Sequence, residues 1–183
     1  MNITVYLGSA EGNDPLLEEA VRELGKWIGS SGNTLVYGGS KTGLMGELAD
    51  SALSSGGKVI GVEPRMFMEK EYQKNNLTEL IVTETMPARK TEMMRLGDAF
   101  IAFPGGTGTL EEITEVMSAV SLQQKDAPCI LYNLDGYYEG LRSLLEKMKE
   151  KGLSSEKRLE KVYFAENLAE IRRILRKEGK LSA

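Results

Sequence analysis

A glycine-rich turn followed at once by acidic residues is the part of this sequence best suited to chemistry. It spans 104–112, Pro-Gly-Gly-Thr-Gly-Thr-Leu-Glu-Glu. The apolar run before it, 99–103, predicts a buried parallel strand, and the amphipathic segment after it predicts a helix. Glycines at such a turn let backbone N–H groups approach an anion at the positive end of a helix dipole, most often a phosphate. A carboxylate beside that cradle favours chemistry on a phosphorylated substrate.

Three acidic residues follow the turn, namely Glu111, Glu112 and Glu115. Acidic residues in a first helical turn also complement the helix dipole, and this structural role is the alternative explanation. At about 100° per residue, the predicted apolar face centres between Ile113 and Val120. Glu111 and Glu115 then point nearly opposite that face, whereas Glu112 lies on its flank. We therefore expect Glu111 to be solvated and Glu112 to border both the core and a pocket.

A pair of cations begins another predicted helix, within the segment Met-Pro-Ala-Arg-Lys at 86–90. Positive charges at a helix start oppose the dipole, so the dipole cannot explain Arg89 and Lys90. An anionic ligand or an acidic neighbour explains them, and an exposed surface pair is the alternative.

Two further glycine turns follow predicted strands, at 8–12 and at 38–46. Each turn alone is explained by tight backbone geometry. Three turns at the carboxyl ends of strands favour a ligand site, because open α/β sheets bind ligands at that edge. None contains the Gly-Lys-Ser/Thr of a Walker loop, and 106–111 lacks the third glycine of the dinucleotide fingerprint, so NAD binding is poorly supported.

The composition limits the chemistry and the partners. The chain has 183 residues, 41% of them hydrophobic, a net charge of -4 and no histidine. Catalysis by Ser-His-Asp or Cys-His and zinc sites that need imidazole are therefore excluded, which leaves acid–base work to carboxylates, lysine, tyrosine or water. The net charge argues against a nucleic-acid partner.

The single cysteine and the hydropathy pattern predict the compartment. Cys129 lies in an apolar run and is predicted to be buried, and no disulfide can form within the chain, which fits the cytoplasm. We expect no signal peptide, and no apolar run approaches the length of a membrane span.

Apolar strand candidates alternate with helical patterns along the whole sequence. This alternation predicts an α/β, Rossmann-like, doubly wound and mainly parallel sheet with helices on both faces, as a single domain over 1–183. Predicted strands lie at 3–7, 34–37, 58–62, 79–83, 99–103 and 128–132, with a further candidate at 161–164. Predicted helices lie at 15–30, 44–54, 87–96, 110–122, 137–151 and 168–177. Asp14 is the expected N-cap of the first helix, and 64–77 is predicted to be a loop or lid.

The two motifs at 86–90 and 104–112 together resemble the LONELY GUY family of cytokinin-activating phosphoribohydrolases, long labelled lysine decarboxylases. The family patterns Met-x-x-Arg-Lys and Pro-Gly-Gly-x-Gly-Thr-x-x-Glu are both complete, and the likeness extends to 37–39, 43–46, 59–62 and 135–138. The resemblance implies hydrolysis of the N-glycosidic bond of AMP, or of its N6-prenylated forms, to free base and ribose 5-phosphate. It also implies a homodimer and no cofactor or metal. Met117, Val120 and Leu122 are the expected apolar contacts between subunits, and the alternative is that all three belong to the core of a single chain.

The resemblance also implies roles for individual residues. Arg89 and Glu112 match the catalytic arginine and glutamate of the family. The substrate-binding residues expected from the resemblance and the glycine turns are Gly8, Ser9, Gly38, Gly39, Glu71, Met86, Lys90, Gly105, Gly106, Thr107, Gly108, Thr109, Glu111 and Ser118. The sequence departs from the family at Pro87, where histidine is frequent, and at Ser118, where threonine is usual. These departures leave the base selectivity open.

A non-catalytic carrier of a nucleotide or of the molybdenum cofactor is the alternative from a different class. A carrier needs the glycine cradle but not both Arg89 and Glu112, so this pair favours the enzyme. Lysine decarboxylation is disfavoured, because pyridoxal phosphate needs a Schiff-base lysine and nothing in the sequence marks one.

Overall fold

A computed structural model describes residues 1–68 and 73–181. The chain forms two compact units, Met1–Asp98 and Ala99–Ala183. Each unit alternates strands with helices, as the sequence predicts for an α/β protein.

The first unit has four parallel strands in the order β4-β3-β2-β1. The strands are β1 (Asn2–Tyr6), β2 (Thr34–Tyr37), β3 (Lys58–Pro64) and β4 (Glu79–Thr83). The helices are α1 (Pro15–Ser30), α2 (Gly43–Ser54), α3 (Arg65–Met68) and α4 (Met86–Leu96). Because the strands are parallel, the turns after β1 and β2, the end of β3 and the start of α4 lie at one edge of this sheet.

Local chemistry explains where the first helix begins. Asp14 has an extended backbone and its carboxylate accepts a hydrogen bond from the Leu16 N–H at 2.9 Å, while Pro15 takes the first helical position. This confirms the predicted cap, since proline lacks only an N–H that the first helical turn would leave unpaired.

The second unit has three parallel strands in the order β5-β6-β7. They are β5 (Ala99–Ala102), β6 (Cys129–Tyr132) and β7 (Val162–Ala165). The helices are α5 (Thr107–Ser121), α6 (Glu139–Glu150), α7 (Glu156–Leu159) and α8 (Leu168–Lys177), with a 3-10 turn at Leu134–Gly136. Every residue of β5 and β6 is buried, as continuous apolar strands of parallel sheets are. Cys129 is among them, which confirms its predicted burial, and burial raises the pKa of its thiol.

All strand pairings within the two units are parallel, and the predicted fold class is confirmed. The candidate strand near 161–164 forms as β7. In the part of the chain that the structure describes, no helix is both long enough and apolar enough to cross a membrane. The assignment of 1–183 to one domain stays a prediction.

Several predicted details are wrong. The segment 64–77 is predicted to be a loop or lid, but its start is not: β3 continues through Pro64 and α3 follows over Arg65–Met68. Residues 73–77 form no helix or strand, and 69–72 lie outside the described residues. α5 begins at Thr107 rather than at 110. The sequence places the start too late because Gly108 in the first turn has a low helix propensity. Leu110, expected on the apolar face of α5, is 43% exposed.

The residues expected to supply an apolar contact between two subunits fall into two groups. Met117 and Val120 of α5 are buried within a single chain, so the intramolecular alternative holds for both. Leu122, which follows α5, is 59% exposed.

Candidate active site

Arg89 lies in the first turn of α4 and is only 6% exposed. Thr85 caps this helix, since its hydroxyl accepts a hydrogen bond from the Ala88 N–H at 3.2 Å. The Nε of Arg89 donates to the carbonyl oxygen of Val62 in β3, at 3.0 Å. A buried guanidinium with an anchored Nε is a fixed positive charge, so the surface-pair alternative is wrong for Arg89. Lys90 and Met86, from the same motif, are half-buried.

The buried turn Gly38–Gly39 follows β2 and has a charged side chain on each side. A Cβ added at Gly38 would overlap Nη2 of Arg89 and lie 3.1 Å from Cε of Met45. Gly39 has a φ of +85°, in the left-handed region that favours glycine, and a Cβ there would overlap the carboxylate of Glu63. Glycine leaves room for the guanidinium of Arg89 at Gly38 and for the carboxylate of Glu63 at Gly39.

Glu63, near the end of β3, is a buried carboxylate that the sequence analysis missed. It is 2% exposed, and its Oε2 has no hydrogen-bond partner among the residues that the structure describes. Burial raises the pKa of Glu63 to about 7, against the positive charge of Arg89, which lowers it. The predicted strand ended at Val62 and so left Glu63 outside, although an acidic residue after the apolar run Val-Ile-Gly-Val was the available signal.

The first glycine turn lies beside the second one. Gly8 is half-buried and Ser9 is exposed. The carbonyl group of Ser9 packs against Gly43, where an added Cβ would overlap it. Gly39 is tied to the segment after α3, since its carbonyl oxygen accepts a hydrogen bond from the N–H of Lys74 at 3.0 Å. Glu71, one of the predicted binding residues, lies outside the described residues.

The third glycine turn opens α5 in the second unit. Gly106 is the N-cap of that helix, and its carbonyl oxygen accepts the first helical hydrogen bond, from the N–H of Leu110 at 3.1 Å. The N–H groups of Thr107, Gly108 and Thr109 precede that bond and have no carbonyl within the helix to pair with. These amides give the helix start its positive end.

Packing does not explain the glycines of this turn. A Cβ added at Gly106 or Gly108 would meet no described atom within 4 Å, and neither residue has a positive φ. Neither packing nor backbone strain requires glycine there, and both positions leave space for a ligand to approach the backbone closely.

Two tyrosines that the sequence analysis did not select hold the strand end and the turn. The hydroxyl of Tyr137 donates to the carbonyl oxygen of Gly105 at 2.6 Å. That of Tyr138 donates to the carbonyl oxygen of Phe103 at 2.8 Å. Both belong to the Asp-Gly-Tyr-Tyr segment that the sequence analysis noted only as part of the family resemblance.

The acidic residues of α5 lie on the faces of the helix that its period predicts. Glu112 is 7% exposed, whereas Glu111 and Glu115 are exposed, which confirms the helical reasoning. Thr109 is also buried. Ser118 is exposed and its hydroxyl donates to the carbonyl oxygen of Thr114 within the helix, at 3.0 Å.

Each unit has its own candidate functional groups. The first holds an anchored guanidinium beside a glycine turn, and the second holds helix-start amides followed by a buried carboxylate. Within 1–68 and 73–181, no three His, Cys, Asp or Glu side chains are grouped as a metal site requires.

A parallel α/β fold with a glycine-rich turn at the start of a helix defines the Rossmann-like class of phosphate-binding proteins. The chain matches a family model described as "Possible lysine decarboxylase" over residues 45–175. It is 44% identical over 146 residues to the cytokinin riboside 5'-monophosphate phosphoribohydrolase of Rhodococcoides fascians, covering 79% of this chain and 74% of that protein. It is 41% identical over 153 residues to the Arabidopsis thaliana enzyme LOG1, covering 84% and 72%. The chain therefore belongs to this family, the LONELY GUY phosphoribohydrolases that carry the older lysine decarboxylase description.

Some relatives are longer than this chain. The alignment with the probable phosphoribohydrolase LOGL2 of rice, Oryza sativa subsp. japonica, has 41% identity and covers 82% of this chain but 62% of that protein.

Solved structures confirm the fold. The molybdenum cofactor carrier protein of Chlamydomonas reinhardtii matches with a TM-score of 0.70 and 23% identity, over 96% of this chain and 98% of that one. The molybdenum cofactor binding protein of Rippkaea orientalis matches with a TM-score of 0.69 and 22% identity, over 96% and 95%. At these identities the likeness concerns the fold alone.

Proposed function

We propose that this protein is a phosphoribohydrolase of the cytokinin-activating type. It hydrolyses the N-glycosidic bond of adenosine 5'-monophosphate or its N6-substituted forms, and it releases the free base and ribose 5-phosphate. The observation that carries the proposal is that both side chains of the family motifs, Arg89 and Glu112, are present and buried in a chain whose relatives are named as such enzymes.

Glu112 supplies the carboxylate for bond cleavage. N-glycoside hydrolysis passes through a transition state with oxocarbenium character, and a nearby carboxylate stabilises the positive charge that develops on the ribose. The same carboxylate orients or deprotonates the attacking water, because no histidine exists to do so. Burial of Glu112 strengthens this electrostatic effect, since the surroundings screen charge less than water does.

Arg89 acts on the leaving base. Adenine gathers negative charge as the bond breaks, and a guanidinium held in place offsets that charge without reorganising. The hydrogen bond from Nε to the carbonyl oxygen of Val62 fixes the position of the guanidinium. Because arginine stays protonated near neutral pH, we assign it electrostatic and hydrogen-bonding work rather than proton abstraction.

The glycine turn at the start of α5 binds the 5'-phosphate. Its amides favour a dianion, and the open space at Gly106 and Gly108 allows a close approach. Lys90 adds a positive charge to the substrate contacts. The remaining proposed contacts are Gly8, Ser9, Gly38, Gly39, Glu71, Met86, Gly105, Thr107, Thr109, Glu111 and Ser118.

We further propose that the protein works as a homodimer in the cytoplasm, without a cofactor. The exposed Leu122 supports an apolar contact between subunits, and one buried cysteine suits a reducing compartment.

The test is the reaction itself. The purified chain is incubated with AMP and with N6-isopentenyl-AMP, and free base and ribose 5-phosphate are measured by chromatography. We expect equal amounts of both products, loss of activity in Arg89→Ala and Glu112→Gln, and retention in Glu115→Gln, which alters an exposed carboxylate of the same helix. Nucleotide binding without any release of base would favour a non-catalytic carrier, the alternative weighed from the sequence.

A further inference from the structure

The carboxylate of Glu63 has no place in the reaction as proposed above, yet its surroundings are unusual. It is buried on β3, its carboxylate lies against Gly39 as the guanidinium of Arg89 lies against Gly38, and its Oε2 has no hydrogen bond in the described part of the chain. A buried polar atom without a partner destabilises the fold, so a packing role would be served better by an apolar side chain. A functional reason for the carboxylate is therefore required.

We propose that Glu63 is a positioning residue for Arg89. Its negative charge attracts the guanidinium and keeps it against the glycine turn, and protonation of the carboxylate removes this attraction. This inference deepens the proposed function and rests on it, because Arg89 is the group assigned to the leaving base.

The geometry gives Arg89 three constraints. The hydrogen bond to Val62 fixes Nε, the backbone of Gly38 contacts Nη2, and the charge of Glu63, the residue next to Val62, attracts the guanidinium as a whole. The hydrogen bond and the contact limit where the side chain can go, but neither is an attraction between two opposite charges. Glu63 supplies an attraction that a neutral side chain of the same size cannot.

The other charged groups around Glu63 have partners elsewhere. Tyr37 of β2 lies near it, and burial, together with the negative charges of Glu63 and Asp50, raises the pKa of that phenol, so Tyr37 stays neutral. Lys74 forms an ion pair with Asp50 of α2 at 2.7 Å. Arg65 of α3 is exposed and pairs with Glu84 at 2.7 Å. Among the described residues, the counter-charge that acts on the carboxylate of Glu63 is that of Arg89.

The consequence is a dependence of activity on pH near neutrality. Burial places the pKa of Glu63 at about 7, so roughly a tenth of the carboxylate is ionised at pH 6 and about nine tenths at pH 8. The ionised form holds Arg89, and activity therefore rises with pH over this range. Imidazole cannot cause such a rise, because the chain has no histidine.

The first test is the pH profile of kcat/KM for AMP in wild type, Glu63→Gln and Glu79→Gln. Glu79 is an exposed carboxylate at the start of β4 and serves as the matched control. Titration of the substrate phosphate affects all three enzymes equally, so the comparison isolates Glu63. We expect an increase of about tenfold from pH 6 to pH 8 that wild type and Glu79→Gln share and that Glu63→Gln lacks. An unchanged increase in Glu63→Gln would overturn the proposal.

A second measurement does not depend on activity or on folding of the variant. The side-chain carboxyl of Glu63 and the Nε–H of Arg89 are followed by NMR in the full-length wild-type protein between pH 5 and pH 9. We expect both resonances to shift with a common midpoint near 7. An Arg89 resonance that does not respond to the titration of Glu63 would contradict the positioning role, even if the protein hydrolyses AMP. Absence of hydrolysis with a common midpoint would instead overturn the proposed function and leave the coupling of the two residues established.

Discussion

Substitution of Gly38 by alanine tests whether Arg89 acts from the position that the structure gives it. The new Cβ would overlap Nη2 of Arg89 and lie 3.4 Å from its Cζ. Carbon and nitrogen atoms in ordinary contact are about 3.5 Å or more apart, so the guanidinium must retreat by about 1 Å. Arg89 cannot retreat freely, because its Nε is bonded to Val62.

The expected cost falls on catalysis rather than on folding. The backbone of Gly38 has no positive φ, and the atom it meets is the far end of a flexible side chain, so alanine is tolerated there. A misplacement of about 1 Å in a catalytic group lowers turnover on the order of a hundredfold. We therefore expect kcat for AMP to fall by about that factor while the thermal midpoint changes little.

The assay compares steady-state hydrolysis of AMP and thermal unfolding for wild type, Gly38→Ala and Gly140→Ala. Gly140 lies in α6, where an added Cβ meets no described atom within 4 Å, so it controls for the substitution itself. Wild-type turnover in Gly38→Ala would show that Arg89 does not act from its place beside the glycine turn, and the reasoning would be refuted.

Three further predictions concern other parts of the molecule. Glu112→Gln lowers kcat at least about a hundredfold with little change in the affinity for a non-hydrolysable AMP analogue, because the carboxylate acts mainly in the transition state. A near-normal kcat would show that Glu112 has no part in the mechanism. Burial raises the pKa of Glu63 in the folded state from 4.5 to about 7. The free energy of unfolding therefore falls by up to about 3 kcal/mol as the pH rises from 4.5 to 7, because the folded protein must give up a proton that it binds more tightly than the unfolded chain does. Urea unfolding from pH 4.5 to 8 should show this loss in wild type and not in Glu63→Gln, and equal slopes would contradict it. Light scattering at micromolar concentration should give twice the chain mass of 20.2 kDa, and a monomer would refute the dimer.

Local chemical signals account for the elements that the sequence predicted well. The start of α1 follows from Asp14 as an N-cap and Pro15 at the first position, both of which act within a few residues of each other. The burial of Glu112 follows from the helical period of α5 alone, because its apolar positions fix which flank faces the interior. Such features depend on neighbours in the sequence, so the sequence contains them.

The features that were missed depend on contacts between distant segments. Glu63 is buried because the turn after β2 and the side chain of Arg89 pack around the end of β3. The acidic residue after an apolar run marks the position, but it does not encode that packing. The hydroxyl of Tyr138 bonds the carbonyl oxygen of Phe103, 35 residues away, and that of Tyr137 bonds Gly105, 32 residues away. The family motifs selected Arg89, but only the structure shows that the glycine beside it leaves room for its guanidinium.

The central claim is that the glycine turn at the start of α5 binds the 5'-phosphate of a nucleotide whose N-glycosidic bond is cleaved. The most direct measurement compares kcat/KM for AMP and for adenosine with the same purified protein. Charge-assisted hydrogen bonds contribute roughly 1.5–3 kcal/mol each, and two or three of them to the phosphate give a preference of several orders of magnitude. That binding energy also holds the ribose in place for cleavage, so kcat should fall together with affinity when the phosphate is removed. We predict that adenosine is hydrolysed at least about a thousandfold less efficiently than AMP. Comparable efficiencies for the two substrates would show that the turn is not a phosphate cradle and would contradict the proposed function.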